Sequence, residues 1–314
     1  MMDTLPQRLS FSTSLPALQL AWDSTSLGAL KTCPRYYEYS ILHGFVPRIE
    51  SVHLTFGLLF HAALEEYDRD KANGIGHEDA LLNAVRYCFV STWNEALGRP
   101  WSSDEPTKTR ETLIRSVIWY LDQFENDPCE TVMLTGGKPA VELSFRFEPG
   151  WTSSVTGEEY LLCGHLDRLV RFQDRLWIVD RKTTKSTIGQ DYFGRYSPDN
   201  QVSLYTVAGN IVAHEPVAGL IIDAGQIAVT FTRFQRAPIG RTKAQLDEWM
   251  KDTEYWIRSA EHFATANHWP QNDKACGLYG GCPYRTVCGS DASVRDKLLE
   301  SLYARRAWDP LQPR

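Results

Sequence analysis

Residues 164–182 constrain the fold of this chain more than any other part of the sequence. They contain two runs of alternating apolar and polar residues, each typical of a β-strand, separated by the polar pair Gln173 and Asp174. A two-residue turn at this pair sets Phe172 opposite Arg175, because the length of the turn fixes the register of a hairpin. The segment is therefore predicted to form an antiparallel hairpin of defined register.

The predicted register brings two carboxylates together. Counting back from the turn sets Asp167 opposite Asp180, and the period of two along a strand puts Lys182 on the same face as Asp180. Opposed residues have Cβ atoms about 5 Å apart, a distance at which like charges repel. Two solvent-facing aspartates in an edge hairpin are the alternative. The apolar flanking residues favour interior strands, where carboxylates need a partner such as Mg²⁺ or Mn²⁺.

The composition excludes several classes of protein. The chain has 314 residues, of which 43% are hydrophobic and 12% aromatic, as in an ordinary globular protein. It lacks an apolar run near the roughly 20 residues that span a bilayer, and its N-terminus lacks the build of a signal peptide. We therefore expect a cytoplasmic protein without a membrane partner. The net charge of −6 gives no global attraction to nucleic acid, although a cleft can still be locally basic.

Hydrophobic periodicity predicts helices on both sides of a β-rich centre. The predicted helices cover residues 24–39, 54–69, 78–96, 106–124, 199–212 and 242–267. The predicted strands cover residues 140–147, the hairpin and the β-rich segment 219–234. The expected fold class is α/β, with a central mixed sheet, mainly an antiparallel meander, flanked by helices.

The predicted domain organisation has a lead-in, one main domain and a tail, covering residues 1–23, 24–290 and 291–314. Within the main domain we expect a helical subdomain, a sheet core and a cysteine-bearing motif, covering residues 54–125, 140–235 and 268–290.

Three of the seven cysteines, Cys276, Cys282 and Cys288, lie close together in a loop rich in Gly and Pro. In a reducing compartment such thiols are typical of metal ligands rather than disulfides, and Cys33 is the candidate fourth ligand. Spacing alone leaves Zn²⁺ and an iron–sulfur cluster open. The other cysteines are expected to be independent buried thiols: Cys88, Cys129 and Cys163.

Two helical pairs add candidate site residues. His61 precedes Glu65 by four residues, so both face one side of a helix. A lone helical histidine is more often a packed or surface group, and only the acidic hairpin makes His61 a candidate metal ligand. Gln201 and Tyr205 have the same spacing. They are either a solvated glutamine and a core tyrosine, or a pair in which the glutamine contacts the site.

The motifs resemble those of the PD-(D/E)XK nuclease superfamily. Asp167 followed by Asp180-Arg-Lys182 is similar to its signature. The surrounding Gly-His-Leu-Asp-Arg and Ile-Val-Asp-Arg-Lys-Thr resemble the RecB-like branch. The resemblance implies a restriction-endonuclease-like core with a helical insertion.

Three further segments resemble that branch. The helix around His61 is similar to one that supplies a metal-binding histidine. Gln201-Val-Ser-Leu-Tyr205 resembles a downstream Gln-x-x-x-Tyr motif, which implies that both residues belong to the catalytic site. Glu142 resembles a frequently acidic position on the preceding strand.

The resemblance implies metal-dependent hydrolysis of DNA phosphodiester bonds. Asp167, Asp180 and His61 would hold Mg²⁺ or Mn²⁺, and Lys182 would orient or deprotonate the attacking water. We expect a single-strand-preferring exonuclease that acts in recombination, repair or phage DNA processing.

The cysteines resemble those of AddB-type nucleases and CRISPR-associated 4Fe–4S exonucleases. These nucleases bracket their core with one N-terminal cysteine and a C-terminal trio, which implies a 4Fe–4S cluster on Cys33, Cys276, Cys282 and Cys288. The trio here departs from the commoner C-x2-C-x5-C spacing. Such a cluster would staple the C-terminal tail to the start of the core.

Basic and aromatic residues near the acidic hairpin favour a path for single-stranded DNA or DNA ends. The candidate DNA contacts are Arg35, Arg168, Arg181, Lys185, Tyr192 and Arg195. Two other functions stay open. The chain could trim DNA ends within a helicase–nuclease or CRISPR-adaptation complex, where a helicase or recombination partner supplies the missing phosphate-binding loop. It could also be a catalytically silent DNA-binding scaffold.

Overall fold

The computed structural model describes residues 10–49 and 51–312. These residues form two compact units. The first comprises residues 10–49, 144–164 and 242–312, and the second comprises residues 51–143 and 165–241. In the described part of the chain, every helix is too short or too polar to cross a membrane. The predicted domain boundaries stay a prediction.

The α-helices are numbered in chain order as α1 (Ser24–Thr32), α2 (Pro34–Tyr37), α3 (Val52–Ala72), α4 (His77–Ser91), α5 (Arg110–Gln123), α6 (Gln190–Gly194), α7 (Asn200–Ala213), α8 (Lys243–Ala266), α9 (Arg285–Gly289) and α10 (Arg295–Leu302). A π-helix covers Glu38–Leu42, and 3₁₀ helices cover Asp273–Gly280 and Ala292–Val294.

The strands are β1 (Ala21–Trp22), β2 (Phe45–Pro47), β3 (Trp93–Asn94), β4 (Arg99–Pro100), β5 (Glu130–Thr131), β6 (Met133–Leu134), β7 (Lys138–Pro139), β8 (Val141–Phe147), β9 (Leu161–Phe172), β10 (Arg175–Thr184), β11 (Val217–Ile227), β12 (Thr232–Gly240) and β13 (Tyr303–Arg305).

The hairpin of β9 and β10 has the predicted register. Gln173 and Asp174 both have positive φ angles, 50° and 58°, as a type I′ turn requires. Antiparallel pairing extends from the turn to the pair of Arg168 and Val179, one residue short of Asp167 and Asp180. The hairpin is therefore confirmed up to the residue next to each predicted ligand.

The sheet of the second unit is mixed, as predicted, but it is not a simple meander. Strands β9 and β10 pair antiparallel, as do β11 and β12, whereas β10 and β11 are parallel. Parallel neighbours need a crossover, which here contains α6 and α7. The antiparallel meander expected from the sequence is thus wrong at one pair of strands.

Helices cover both faces of this sheet. A Cβ on Gly209 of α7 would lie 2.7 Å from Ile178 Cδ1 of β10, so α7 packs directly on one face. On the other face Phe60 of α3 and Val117 of α5 belong to a buried cluster that includes Ile227 of β11. The chain therefore has an α/β fold with a central mixed sheet flanked by helices, consistent with a restriction-endonuclease-like core.

In the first unit the predicted helix over residues 24–39 is divided at Cys33. Asp23 caps α1 by accepting a hydrogen bond from the backbone N–H of Ser26. Cys33 is extended, with φ −165° and ψ 115°, because proline at the next position disfavours a helical conformation. Cys33 is therefore not part of the helix and lies next to Asn272. The backbone N–H of Asn272 donates to Cys33 Sγ at 3.2 Å.

Candidate active site

The two hairpin aspartates are buried in the second unit. Asp167 is 9% exposed and Asp180 only 2%. Burial is the largest influence on Asp180; Lys182 opposes it and the Asp167 carboxylate adds to it, and together they raise the pKa of Asp180 to about 6. The two carboxylates are therefore close enough to interact electrostatically.

Lys182 lies between Asp180 and helix α7. Its Nζ is 2.7 Å from Asp180 Oδ2 and donates a hydrogen bond to Gln201 Oε1 at 3.0 Å. Burial by itself lowers the pKa of Lys182, but the carboxylates of Asp180 and Asp167 outweigh it and hold the pKa above its usual value. The side chain therefore stays protonated at neutral pH in this structure.

Asp167 is held from two directions. Its Oδ2 accepts a hydrogen bond from the backbone N–H of Arg181 at 3.0 Å and lies 3.4 Å from His61 Nδ1. The predicted α3 histidine thus reaches the predicted β9 carboxylate. His61 is half-buried, so its imidazole keeps some contact with solvent.

Gln201 and Tyr205 project from successive turns of α7 towards the same place. Gln201 contacts Lys182, as described above. Burial raises the pKa of Tyr205, Asp180 raises it further, and a hydrogen bond with Gln201 opposes the rise. The Gln-x-x-x-Tyr segment therefore lies against the Lys182–Asp180 pair.

Glu142 occupies an unusual backbone position in β8, which pairs with β9. Its φ is 49°, in the left-handed region that residues other than glycine rarely adopt. The backbone N–H of Leu169 donates to Ala140 O at 2.9 Å. In the sequence Glu142 lies two residues from Ala140, and Asp167 lies two residues from Leu169. Glu142, the acidic position expected from the sequence, therefore lies near the hairpin carboxylates.

The donor set suits a hard divalent cation, since it offers carboxylate oxygens and one imidazole. In this structure the cation next to Asp180 is the ammonium of Lys182. Within residues 10–49 and 51–312, no three or more His, Cys, Asp or Glu side chains are grouped as ligands of one metal ion.

Arg168 and Arg181 have no access to DNA in this structure, which corrects the sequence expectation. They are 7% and 2% exposed. Because neighbouring side chains alternate across a strand, both point away from the carboxylate face. Asp68 of α3 bridges them, with Oδ1 at 3.4 Å from Arg168 Nη1 and Oδ2 at 2.6 Å from Arg181 Nη2. The sequence signal for Asp68, its position two turns after His61, is too weak to identify it.

The other predicted DNA contacts of the second unit are more accessible. Lys185 is exposed and pairs with Glu105 at 3.0 Å. The exposed guanidinium of Arg195 lies 3.8 Å from the ring centroid of the buried Tyr192. Burial raises the pKa of Tyr196, and Asp180 is among the smaller causes of the rise, which places the α6 region near the carboxylates.

Arg35 belongs to the first unit, where it holds the chain just before the cysteine trio. Its Nε donates to Trp269 O at 3.2 Å, and its Nη1 donates to Gln271 Oε1 at 3.3 Å. Its charge also lowers the pKa of the Cys288 thiol, which burial raises. This side chain is thus committed to contacts within its own unit.

The four predicted cluster cysteines lie in the same part of the first unit. Cys282 N–H donates to Cys276 O at 3.0 Å. Burial raises the pKa of the Cys282 thiol, and Cys276 and Cys33 raise it further. Cys282 and Cys33 likewise raise the pKa of Cys288. The other three cysteines, Cys88, Cys129 and Cys163, are buried free thiols.

The fold and the site together have the features of a nuclease. The family model of the PD-(D/E)XK nuclease superfamily matches residues 22–289, and the chain belongs to this superfamily. It is therefore a nuclease by family.

The chain is also similar to solved structures. One is a crystal structure of a "Putative exonuclease" from Eubacterium rectale, with 12% identity, a TM-score of 0.47, and coverage of 93% of this chain and 98% of the other. A second is the crystal structure of SSO0001, with 13% identity, a TM-score of 0.28, and coverage of 57% and 76%. No curated protein matches the chain significantly.

Proposed function

We propose that this nuclease is a metal-dependent deoxyribonuclease of the RecB-like branch, an exonuclease that prefers single-stranded DNA or DNA ends. The observation that carries the proposal is a pair of short contacts, His61 with Asp167 and Lys182 with Asp180, between carboxylates that influence each other electrostatically. Recombination, repair and phage DNA processing, in a reducing compartment such as the cytoplasm, are the settings we infer for it.

In the proposed mechanism Asp167, Asp180 and His61 would hold Mg²⁺ or Mn²⁺. When bound, the ion lowers the pKa of a water molecule and offsets negative charge on the scissile phosphate. The backbone N–H of Arg181 keeps one Asp167 oxygen in place. This contact limits the freedom of the carboxylate before any ligand arrives.

Lys182 acts as a hydrogen-bond donor in this proposal. Its raised pKa keeps the ammonium charged, which suits orienting the attacking water and stabilising the phosphate charge better than taking a proton. Gln201 accepts from Lys182 and so limits the positions of its Nζ. Tyr205 supports Gln201 from the next turn of α7.

Lys185, Arg195 and Tyr192 are the proposed DNA contacts of the second unit. The lysine follows Lys182 by three residues, and the exposed arginine stacks on Tyr192 of α6. A cation and an aromatic ring side by side suit a flexible single strand, whose phosphates and bases are both accessible. Arg168 and Arg181 are not included, because both are buried.

The decisive test compares Asp180→Asn and Lys182→Met with Asp174→Asn. The control removes the same charge as Asp180→Asn from the same hairpin, at a turn residue with φ 58°, a conformation that asparagine tolerates. With Mn²⁺ and end-labelled DNA, we expect the first two variants to lose at least about a hundredfold in cleavage rate, and the control to keep wild-type activity.

The substrates for this test are single-stranded DNA, double-stranded DNA and RNA of the same sequence. Equal cleavage of all three would contradict the proposed specificity. Wild-type activity in folded Asp180→Asn would overturn the assignment of the site.

We also propose that Cys33, Cys276, Cys282 and Cys288 hold a 4Fe–4S cluster. Support comes from the mutual electrostatic influence of their thiols and from the backbone N–H that donates to Cys33 Sγ, a contact typical of cluster sulfurs. The described side chains are not arranged as a finished ligand set.

Iron, zinc and visible absorbance of anaerobically purified protein test this second proposal. Cys282→Ser should lose the metal, whereas Cys163→Ser, which changes a buried thiol of the same unit, should keep it. Metal-free wild-type protein, or stoichiometric zinc in place of iron, would contradict the cluster.

A further inference from the structure

A chain of alternating charges runs behind the catalytic hairpin, on the face of the sheet opposite the carboxylates. Its members are buried or nearly so, and three arginines alternate with three aspartates in the order Arg181, Asp68, Arg168, Asp127, Arg236 and Asp223. In that order, the distances between guanidinium nitrogen and carboxylate oxygen are 2.6, 3.4, 3.1, 2.6 and 2.8 Å. The six formal charges therefore cancel.

The side chain of Tyr120 in α5 contacts the Asp223 and Arg236 end of this network. Its hydroxyl donates to Asp223 Oδ2 and accepts from Arg236 Nη2 at 2.8 Å. The guanidinium of Arg181 lies 5.7 Å from the centroid of the Tyr120 ring. Both ends of the network thus approach the same side chain.

Asp68 is the member that joins the two strands of the hairpin. Its two carboxylate oxygens bind Arg168 of β9 and Arg181 of β10 separately. The Arg168 guanidinium has little other freedom, since it also donates to Thr131 Oγ1 at 2.8 Å and to Cys129 O at 2.6 Å. One carboxylate on α3 therefore fixes the positions of neighbouring strands.

Each contact of Asp68 is one residue away from the site. Arg168 follows Asp167 directly, and Arg181 lies between Asp180 and Lys182. The backbone N–H of Arg181 also donates to Asp167 Oδ2. On α3 itself, His61 precedes Asp68 by two helical turns.

We propose that Asp68 is a positioning residue for the metal site, an inference that rests on the proposed function. It sets the separation of the Asp167 and Asp180 carboxylates by holding the backbone next to each of them. Without its charge, two buried guanidinium groups lose their shared partner, and buried cations move to find another or reach water. Their strands, and the carboxylates on them, move with them.

The test measures Mn²⁺ binding by calorimetry in wild type, Asp68→Asn and Asp223→Asn. The control removes the charge of an equally buried aspartate of the same network, whose ion-pair partner Arg236 is not next to a predicted ligand. We expect the Mn²⁺ dissociation constant to rise about tenfold or more in Asp68→Asn, as when partners of metal ligands are removed. In Asp223→Asn it should stay within about threefold of wild type.

A merely structural role predicts equal losses of thermal stability and equal Mn²⁺ affinity in both variants, and that result would overturn the inference. Wild type that fails to bind Mn²⁺ would refute the proposed function and the inference with it. Binding by wild type with unchanged affinity in Asp68→Asn refutes the inference alone. Should Asp68→Asn fail to fold, Arg181→Lys, which keeps the charge but loses the planar fork, should weaken Mn²⁺ binding in the same direction.

Discussion

Replacing Lys108 with methionine should stabilise this protein. The residue precedes α5 and is only 2% exposed. Within the described residues its Nζ has no hydrogen-bond partner, and it lies 4.2 Å from the ring centroid of Phe56. Burial and, to a smaller extent, Lys185 lower the pKa of Lys108 from 10.5 to about 8, with Glu105 opposing the change.

The size of the effect follows from this pKa shift. A base whose pKa is lower in the folded state destabilises that state fully at a pH below about 8, and the penalty fades as the pH rises towards 10.5. At about pH 7 the penalty is about 3 kcal/mol, and near pH 9.5 about 1.5 kcal/mol. The cation–π contact of Lys108 with Phe56 offsets up to about 1 kcal/mol of this destabilisation.

Urea unfolding of wild type and Lys108→Met at several pH values measures the difference. We expect the variant to gain about 2 kcal/mol at neutral pH, because its thioether keeps the packing on Phe56 without the charge. The gain should shrink steadily as the pH rises. Lys185→Met, which changes an exposed lysine of the same surface, should alter stability little. A variant that gains nothing at neutral pH, or a gain that does not depend on pH, would refute the reasoning.

Two further changes test the packing of each unit. Gly219→Ala should cost roughly 2 kcal/mol or more in urea unfolding, because φ is +144° and a Cβ would collide with Ile239 O, whereas Gly240→Ala should cost less. Equal losses would contradict this account. Glu261→Gln should cost about 1–3 kcal/mol at neutral pH, since the buried carboxylate accepts hydrogen bonds from several donors including Tyr160. Burial raises the pKa of Glu261, but these bonds lower it below 4.5, so the loss should shrink on acidification below about pH 4.5. Thermal unfolding at several pH values measures it, and a loss that grows towards acid pH would be the wrong sign.

The hairpin could be predicted because its information is local. A polar pair between two alternating runs fixes the turn, and the turn fixes which residues oppose each other. Asp167 and Asp180 follow by counting. The start of α3 and the Gln201–Tyr205 spacing are local too, and those helices lie within a few residues of their predicted limits.

The buried charges could not be predicted in the same way. Arginine in an alternating strand usually faces water, so Arg168 and Arg181 had the pattern of a DNA-binding surface. Their partner Asp68 is far away in the sequence and becomes a partner only when α3 packs on the sheet. Local patterns contain no information about such pairings.

The parallel pairing of β10 and β11 had a sequence signal that the meander interpretation overlooked. The segment between them contains the helix predicted over residues 199–212, which is long enough for a crossover. Strand β11 is buried along its whole length, Val217–Ile227, as central parallel strands usually are. A helix between two apolar strands predicts parallel neighbours.

The interleaving of the two units bears on how the protein can be made in a cell. Neither unit is continuous in sequence, so no single fragment contains one whole unit without residues of the other. Cys33 leaves the ribosome long before Cys276, and at about 5–20 residues per second the delay is roughly 10–50 s. The first unit can therefore be completed only after residues 242–312 have been synthesised.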